Sequence, residues 1–198
     1  MTLRRIAFIN EKGGTCKTTL AVNTAAWFAQ KKGLRVLLID LDTQGHAGKS
    51  LGIDVRALPT NVFHWLTNTN VALGDVMRNT AVPGLTVVPS YKQMADFPVQ
   101  VANQVDRGTL LRERMREVEK AGYEMIVFDS PPSLGLTTTN ILLAATEVVV
   151  PVATTYLSLD GCAEMSETVR KVAEKDNTAL HISLVVPTLY RKTALADE

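Results

Sequence analysis

The residues best suited to chemistry in this sequence lie in a short glycine-rich segment that ends in Lys-Thr-Thr. Residues 9–19 read Ile-Asn-Glu-Lys-Gly-Gly-Thr-Cys-Lys-Thr-Thr, and they separate an apolar, strand-like run from a helix-like run. This layout binds phosphate, because backbone N–H groups at a helix N-terminus point at the anion. Lys17 adds a positive charge, and the hydroxyl of Thr18 is placed to ligate Mg²⁺. The segment therefore predicts binding of a nucleoside triphosphate.

The loop departs from the strict phosphate-loop pattern G-x-x-x-x-G-K-[ST] at two positions. Glu11 replaces the first glycine and Cys16 replaces the second, while Lys12 precedes the glycine pair. This form resembles the deviant Walker A ATPases of the ParA/MinD family. The resemblance implies that Lys12 acts on the nucleotide of a partner subunit and Lys17 on its own. It also implies nucleotide contacts along the whole loop, from Lys12, Gly13, Gly14, Thr15, Cys16, Lys17, Thr18 and Thr19.

Two acidic residues follow a second apolar run. Residues 35–40 end in Asp40 and lead into Leu-Asp-Thr-Gln-Gly, which is close to the family's D-x-D-P-Q-G, with Thr43 in place of proline. A carboxylate just beyond a parallel strand faces the crevice where ligands bind. By resemblance, Asp42 orients or activates the attacking water and Asp40 supports the Mg²⁺ shell. An ordinary strand-end turn is the alternative.

A third apolar run ends in Asp129 and continues as Ser-Pro-Pro-Ser-Leu-Gly, similar to the family's D-x-P-P-S-L-G. An aspartate after four apolar residues matches the Walker B position, which holds Mg²⁺ through a water. Near the end of the chain, residues 184–193 resemble the exit of the family's sixth strand. The resemblance implies that Pro187 and Thr188 help to hold the adenine base of ATP.

The alternation of apolar runs and amphipathic segments predicts an α/β fold of the P-loop NTPase type. We expect one domain over 1–198, with a mostly parallel, twisted sheet and helices on both faces. Expected strands are 4–10, 35–40, 85–89, 125–129, 147–151 and 180–186. Expected helices are one after the loop, two short ones within 52–80, and longer ones over 106–121 and 159–176. For the first helix, the spacing predicts a core-facing stripe of Leu20, Thr24, Trp27 and Phe28.

Composition limits the classes of function. The 198 residues are 46% hydrophobic and 21% charged, with a net charge of +1, so affinity for nucleic acid requires a local patch. Apolar runs of six or seven residues and an N-terminus that leads directly into a strand predict a cytoplasmic protein. Two cysteines do not make a disulfide framework. Cys16 is either a tolerated small residue or a thiol activated by the helix N-terminus and Lys17.

The resemblance implies a slow ATPase that uses ATP and Mg²⁺ and forms a nucleotide-dependent homodimer. Its ATP-bound dimer would hold nonspecific DNA on the nucleoid, and a ParB-like or other adaptor protein would stimulate hydrolysis. Arg191 and Lys192 are the candidate phosphate contacts near the end of the chain. Members of the family commonly continue further, so we expect either a naturally compact member or a shortened one. The alternatives are a MinD-like membrane switch, for which no amphipathic tail is seen, and a nucleotide-binding regulator with eroded hydrolysis.

Overall fold

A seven-stranded sheet runs through the part of the protein that the computed structural model describes, which is residues 3–154 and 158–190, with the side chains of 158–161 excepted. The strands are β1 Arg4–Phe8, β2 Val36–Asp40, β3 Arg78–Asn79, β4 Leu85–Val88, β5 Met125–Asp129, β6 Glu147–Ala153 and β7 His181–Thr188. They lie in the order β3-β4-β2-β5-β1-β6-β7. All neighbouring pairs are parallel except β3 and β4, which are antiparallel.

Helices cover both faces of this sheet. They are α1 Lys17–Lys32, α2 His46–Ser50, α3 Val62–Thr67, α4 Leu73–Val76, α5 Phe97–Gln100, α6 Leu110–Lys120, α7 Leu136–Ala144 and α8 Ser158–Lys175, with a short 3₁₀ helix over Lys92–Asp96. One apolar cluster joins α1 and α2 to the sheet, and a larger one on the other face joins α3, α6, α7 and α8 to it. The predicted fold class, a mostly parallel sheet between helices, is confirmed.

The register of the central strands brings the ends of three motifs together. β2 and β5 are buried along their whole length, as expected of strands covered on both faces. Asp40 at the end of β2 is the register partner of Asp129 at the end of β5, and Asp129 also pairs with Phe8 of β1. The glycine-rich loop follows β1 directly, so the loop and the two acidic residues meet at one edge of the sheet.

The stripe predicted for α1 is wrong. The buried face consists of Ala21, Ala25 and Ala29, whereas Trp27 is 48% exposed. Leu20 and Phe28 are partly buried at the margin of the apolar cluster. Alanines at a spacing of four residues let the helix backbone approach the sheet closely. The Trp27 ring instead packs edge-on against Phe28 and beneath the ammonium of Lys32.

The other predicted elements agree with the structure to within a few residues. Helix α6 buries the three expected apolar side chains, and the two short helices predicted within 52–80 correspond to α3 and α4. The two-residue strand β3 and the short helices α2 and α5 were not predicted. Elements of this length do not show a periodic pattern of hydrophobicity.

Candidate functional site

The glycine-rich loop turns sharply between β1 and α1. Gly14 and Cys16 adopt left-handed backbone conformations, with φ of 75° and 67°, and Cys16 is the residue that precedes the helix. Such a conformation suits glycine and costs an L-residue roughly 1–2 kcal/mol. The second glycine of the strict motif is therefore missing at a position where the backbone still has the glycine conformation.

Asn10 fixes the beginning of the loop. Its side chain is buried, donates to the carbonyl oxygen of Pro151 on β6 at 2.7 Å, and accepts from the backbone N–H of Lys12 at 2.9 Å. Sequence reasoning missed this residue, because an asparagine at a strand end is also typical of ordinary turns. Its two contacts tie the loop to the neighbouring strand.

Lys17 lies inside the loop and is only 7% exposed. Its ammonium donates to the carbonyl oxygen of Lys12 at 2.9 Å. Burial lowers the pKa of Lys17, and the nearby carboxylates of Asp129 and Asp42 oppose that effect. The structure thus places a cation against the loop backbone, where a phosphate group would be neutralised by it.

Asp40 is fully buried and is held by the backbone that follows it. One carboxylate oxygen accepts from the N–H of Asp42 at 3.0 Å, and the other accepts from Ala47 at 3.1 Å and Gly48 at 3.4 Å. Burial raises the pKa of Asp40 well above its ordinary value, and the charge of Asp129 adds to this. These contacts hold the turn after β2, while its predicted support of a Mg²⁺ shell stays a prediction.

The same turn contains a position that only glycine can occupy. Gly45 has φ of 62°, and a Cβ there would lie 2.4 Å from the carbonyl oxygen of Ser90. Asp42 reaches into the turn, where its carboxylate accepts from the backbone N–H of Gln44 at 3.0 Å. The glycine of the Asp-Thr-Gln-Gly motif therefore holds the turn against the segment that follows β4.

Neither carboxylate oxygen of the buried Asp129 has a hydrogen-bond partner within normal distance and angle among the described residues, although the Thr18 hydroxyl lies near enough to interact with it. Burial raises its pKa to about 7; the nearby Thr18 hydroxyl favours the charged form, Asp42 opposes it, and Lys17 favours it. A buried carboxylate without donors is costly unless something else completes its surroundings. The arrangement fits a divalent cation, which this carboxylate and the hydroxyl of Thr18 would help to hold.

A cavity of about 380 Å³ opens over the loop. It is lined by Gly13, Gly14, Thr15, Cys16, Lys17, Thr18, Thr19, Asp42, Gln44, His46 and Pro132. Seven loop residues and Asp42 were predicted as site residues, and here they share one cavity. Gln44, His46 and Pro132 were missed. Gln44 and Pro132 belong to motifs that sequence analysis had identified, whereas His46 carried no signal.

Pro187 and Thr188 lie at the end of β7, outside the set that lines this cavity. Thr188 donates to the carbonyl oxygen of Thr15 at 3.3 Å, so β7 still touches the loop.

Ser130, which was not predicted either, ties β5 to β1 by donating to the carbonyl oxygen of Phe8 at 2.7 Å. Arg191 and Lys192 lie outside the described residues.

Two absences bear on the site. Within 3–154 and 158–190 no three His, Cys, Asp or Glu side chains cluster as a metal centre would. Nor does any helix in these ranges have the length and apolar character needed to cross a membrane.

The chain is similar to several known proteins. A family model described as "AAA domain" matches residues 3–182. The sporulation initiation inhibitor protein Soj of Bacillus subtilis is 39% identical over 184 residues, which are 93% of this chain and 72% of Soj. The cell division protein PomZ of Myxococcus xanthus is 38% identical over 98% of this chain, which spans only 60% of PomZ.

Solved structures with a similar fold are also known. Cobyrinic acid a,c-diamide synthase from Mycobacterium smegmatis, with bound ATP analogue and magnesium, is 32% identical with a TM-score of 0.89, covering 99% of this chain and 77% of that one. A plasmid partition protein from Borrelia burgdorferi is 25% identical with a TM-score of 0.76, covering 97% and 82%. Given the loop, the two acidic strand ends and these matches, the chain belongs to the ParA/Soj family of partition ATPases.

Proposed function

We propose that this chain binds and slowly hydrolyses ATP as a nucleotide-dependent homodimer, and that the ATP-bound dimer holds nonspecific DNA during partitioning of a chromosome, plasmid or other cargo. The proposal rests on two buried groups of opposite charge beside one loop cavity. They are the ammonium of Lys17 and the carboxylate of Asp129, whose oxygens have no hydrogen-bond partner among the described residues. Opposite charges of this kind suit a phosphate and its cation. Relatives named as chromosome-partitioning ATPases support the biological role.

Each residue of the site has a distinct task in this proposal. The backbone of Gly13 and Gly14 and the ammonium of Lys17 bind the phosphates, while Thr18 and Asp129 hold Mg²⁺. Asp42 orients the water that attacks the terminal phosphate, since its carboxylate lies at the cavity wall. When bound, Mg²⁺ neutralises charge that develops on the phosphates. The predicted contacts of Pro187 and Thr188 with adenine remain part of the proposal.

The switch depends on a second subunit. Lys12 reaches the partner's nucleotide, which makes the dimer sensitive to whether a third phosphate is present. A ParB-like or other adaptor protein stimulates hydrolysis and so releases the DNA. The expected location is the cytoplasm, on the nucleoid.

The test combines three measurements on one preparation: ATP turnover, mass in solution, and binding to a random-sequence DNA at low salt. We expect dimers and DNA binding with a slowly hydrolysed ATP analogue, and neither with ADP or without nucleotide. Lys17→Ala should abolish both, and Lys31→Ala, on the exposed end of α1, should change neither. Binding that is independent of nucleotide, or selective for one DNA sequence, would contradict the proposal.

A nucleotide-binding regulator without hydrolysis is the second candidate, and Cys16 in a glycine conformation is the observation that favours it. The two candidates differ in turnover, because the regulator would bind ATP and dimerise without releasing phosphate. A MinD-like role would instead show ATP-dependent binding to anionic lipid vesicles and no binding to DNA.

A further inference from the structure

A second concave surface lies next to the nucleotide cavity. It has a volume of about 390 Å³ and is lined by Thr43, Gln44, Lys49, Arg56, Tyr91 and Lys92. We call it the basic cleft. Gln44 lines both this cleft and the nucleotide cavity. The basic cleft is therefore separated from the proposed ATP site by the turn that follows β2.

The cations of the basic cleft are not neutralised by neighbouring carboxylates. Among the described residues, no ion pair within 4.0 Å involves Lys49, Arg56 or Lys92. By contrast, Arg114 on α6 pairs with Glu117, and Arg170 on α8 pairs with two glutamates. With a net charge of only +1 for the whole chain, three unpaired cations around one concavity form a local positive patch.

The walls of the basic cleft are held in place. The ammonium groups of Lys49 and Lys92 lie 5.9 and 5.8 Å from the centre of the Tyr91 ring, and Lys49 also donates to the carbonyl oxygen of Gln44 at 2.6 Å. Gly45 packs directly on Ser90, as described above. Lys49 is thus attached to the turn that contacts the nucleotide cavity, and Lys92 lies across the Tyr91 ring on the segment that follows β4.

We propose that the basic cleft binds the phosphodiester backbone of DNA and is the surface through which the ATP-bound form grips it. This inference rests on the proposed function. Lysine, arginine, threonine, glutamine and tyrosine side chains are the groups that contact DNA phosphates. A protein partner would need a buried apolar anchor, whereas no aliphatic side chain lines the cleft and its one aromatic ring, Tyr91, lies between two lysines.

The shared residue explains how ATP would control the grip. Asp42 and Gln44 lie at the nucleotide cavity, and the chain continues through Gly45 into α2, which ends at Ser50 and carries Lys49. A change in the position of this turn moves Lys49 relative to Tyr91 and Lys92. We expect the position of Lys49, and with it the affinity for DNA, to differ between the nucleotide states.

The experiment measures anisotropy of a labelled random-sequence DNA duplex, with the ATP analogue, over a range of salt concentrations. The variant is Arg56→Gln/Lys92→Gln, because neither side chain donates a hydrogen bond within the described structure. The matched control is Arg116→Gln/Lys120→Gln on the exposed face of α6, which removes the same charge. We expect the variant to lose about 10-fold in affinity and its salt slope to fall by about 2, one for each phosphate contact. The control should change less than about 2-fold, and both should bind the ATP analogue normally.

The outcomes separate the two proposals. If the unaltered protein binds DNA and the variant binds equally well, the inference is wrong and the proposed function stands. If the unaltered protein binds no DNA in any nucleotide state, both the inference and the DNA part of the proposed function are wrong. If poly-glutamate displaces the labelled duplex as efficiently as unlabelled DNA of equal charge, the basic cleft is a site for acidic protein segments and the inference is overturned.

Discussion

Asp40 ends β2 and Asp129 ends β5, and the two are register partners in adjacent strands of the sheet. Both are fully buried, and burial raises the pKa of each. Their surroundings differ, however. Asp40 accepts three backbone N–H groups, whereas Asp129 has no hydrogen-bond partner within normal distance and angle among the described residues.

This difference separates a structural carboxylate from one that is open to a ligand. The donors around Asp40 come from the turn that follows it, so the protein itself compensates the buried charge. At Asp129 only the Thr18 hydroxyl and the charge of Lys17 favour the charged form, and Asp42 opposes it, so a bound cation would be needed to complete the compensation. The same residue type at two adjacent strand ends therefore has opposite effects. Asp40 stabilises the fold, whereas Asp129 lowers the stability of the fold and is available to bind a ligand.

The largest expected effect is a fall in stability with rising pH in the absence of nucleotide. The pKa of Asp129 is about 7 in the folded protein and ordinarily 3.8, so the folded state binds the proton more tightly. Its contribution is fully present below about pH 4 and is lost as the pH rises through about 7. We expect the free energy of unfolding to fall by roughly 2–3 kcal/mol between about pH 5 and 8, measured by urea denaturation.

This window avoids the glutamates with lowered pKa values, Glu117 and Glu147, which lose stabilisation only under more acidic conditions. Asp129→Asn should reduce the slope, because asparagine does not titrate. A residual slope in that variant would come from Asp40 and Glu11, whose pKa values are also raised. Stability that rises with pH across this window would contradict the assigned surroundings of Asp129.

A pair of substitutions tests the division of tasks directly. Asp129→Asn should weaken Mg²⁺-dependent binding of ATP by about 10–100-fold without destabilising the fold, because it removes a cation ligand and a buried charge together. Asp40→Asn should lower the free energy of unfolding by about 2–3 kcal/mol, since its amide N–H₂ would face backbone donors. Calorimetric titration with the ATP analogue and urea denaturation give both quantities for each variant.

The two variants are matched to each other, so the difference between their effects can be assigned to the site. Each variant replaces a carboxylate by an amide of the same shape at the end of a buried strand, so general effects of burial are shared. If Asp40→Asn lost Mg²⁺-dependent binding while remaining fully stable, Asp40 would belong to the Mg²⁺ shell, as the resemblance implied. If both variants lost stability and Mg²⁺-dependent binding to the same extent, the two carboxylates would act together in both.

The sequence predicted the strands and the motifs at their ends well, because buried parallel strands are continuous apolar runs and phosphate loops have fixed spacing. It did not distinguish Asp40 from Asp129. Both follow four or more apolar residues, and the donors that separate them come from residues two, seven and eight positions later in a turn. Hydrogen bonds of this kind depend on the path of the backbone, which residue types alone do not specify.

The packing of α1 shows a second limit. Trp27 and Phe28 are large and apolar, and their spacing from Leu20 suggested a core stripe. The residues that face the sheet are instead Ala21, Ala25 and Ala29. How closely a helix approaches a sheet is a property of both surfaces. His46 entered the cavity for a similar reason, because the turn at Gly45 starts a helix beside the phosphate loop.

The smallest expected effect concerns the glycine-rich loop that follows β1. Cys16 has φ of 67°, so Cys16→Gly should relieve backbone strain and raise the free energy of unfolding by about 0.5–1 kcal/mol after the greater chain entropy of glycine is allowed for. Cys16→Ala is the control, because it removes the thiol and keeps the strain, and it should give no gain. Urea denaturation compares the three proteins. An equal gain from both substitutions would show that the thiol, and not the backbone, is the source of the cost. Since neither substitution touches Asp40 or Asp129, the pH slope of stability should be the same in all three.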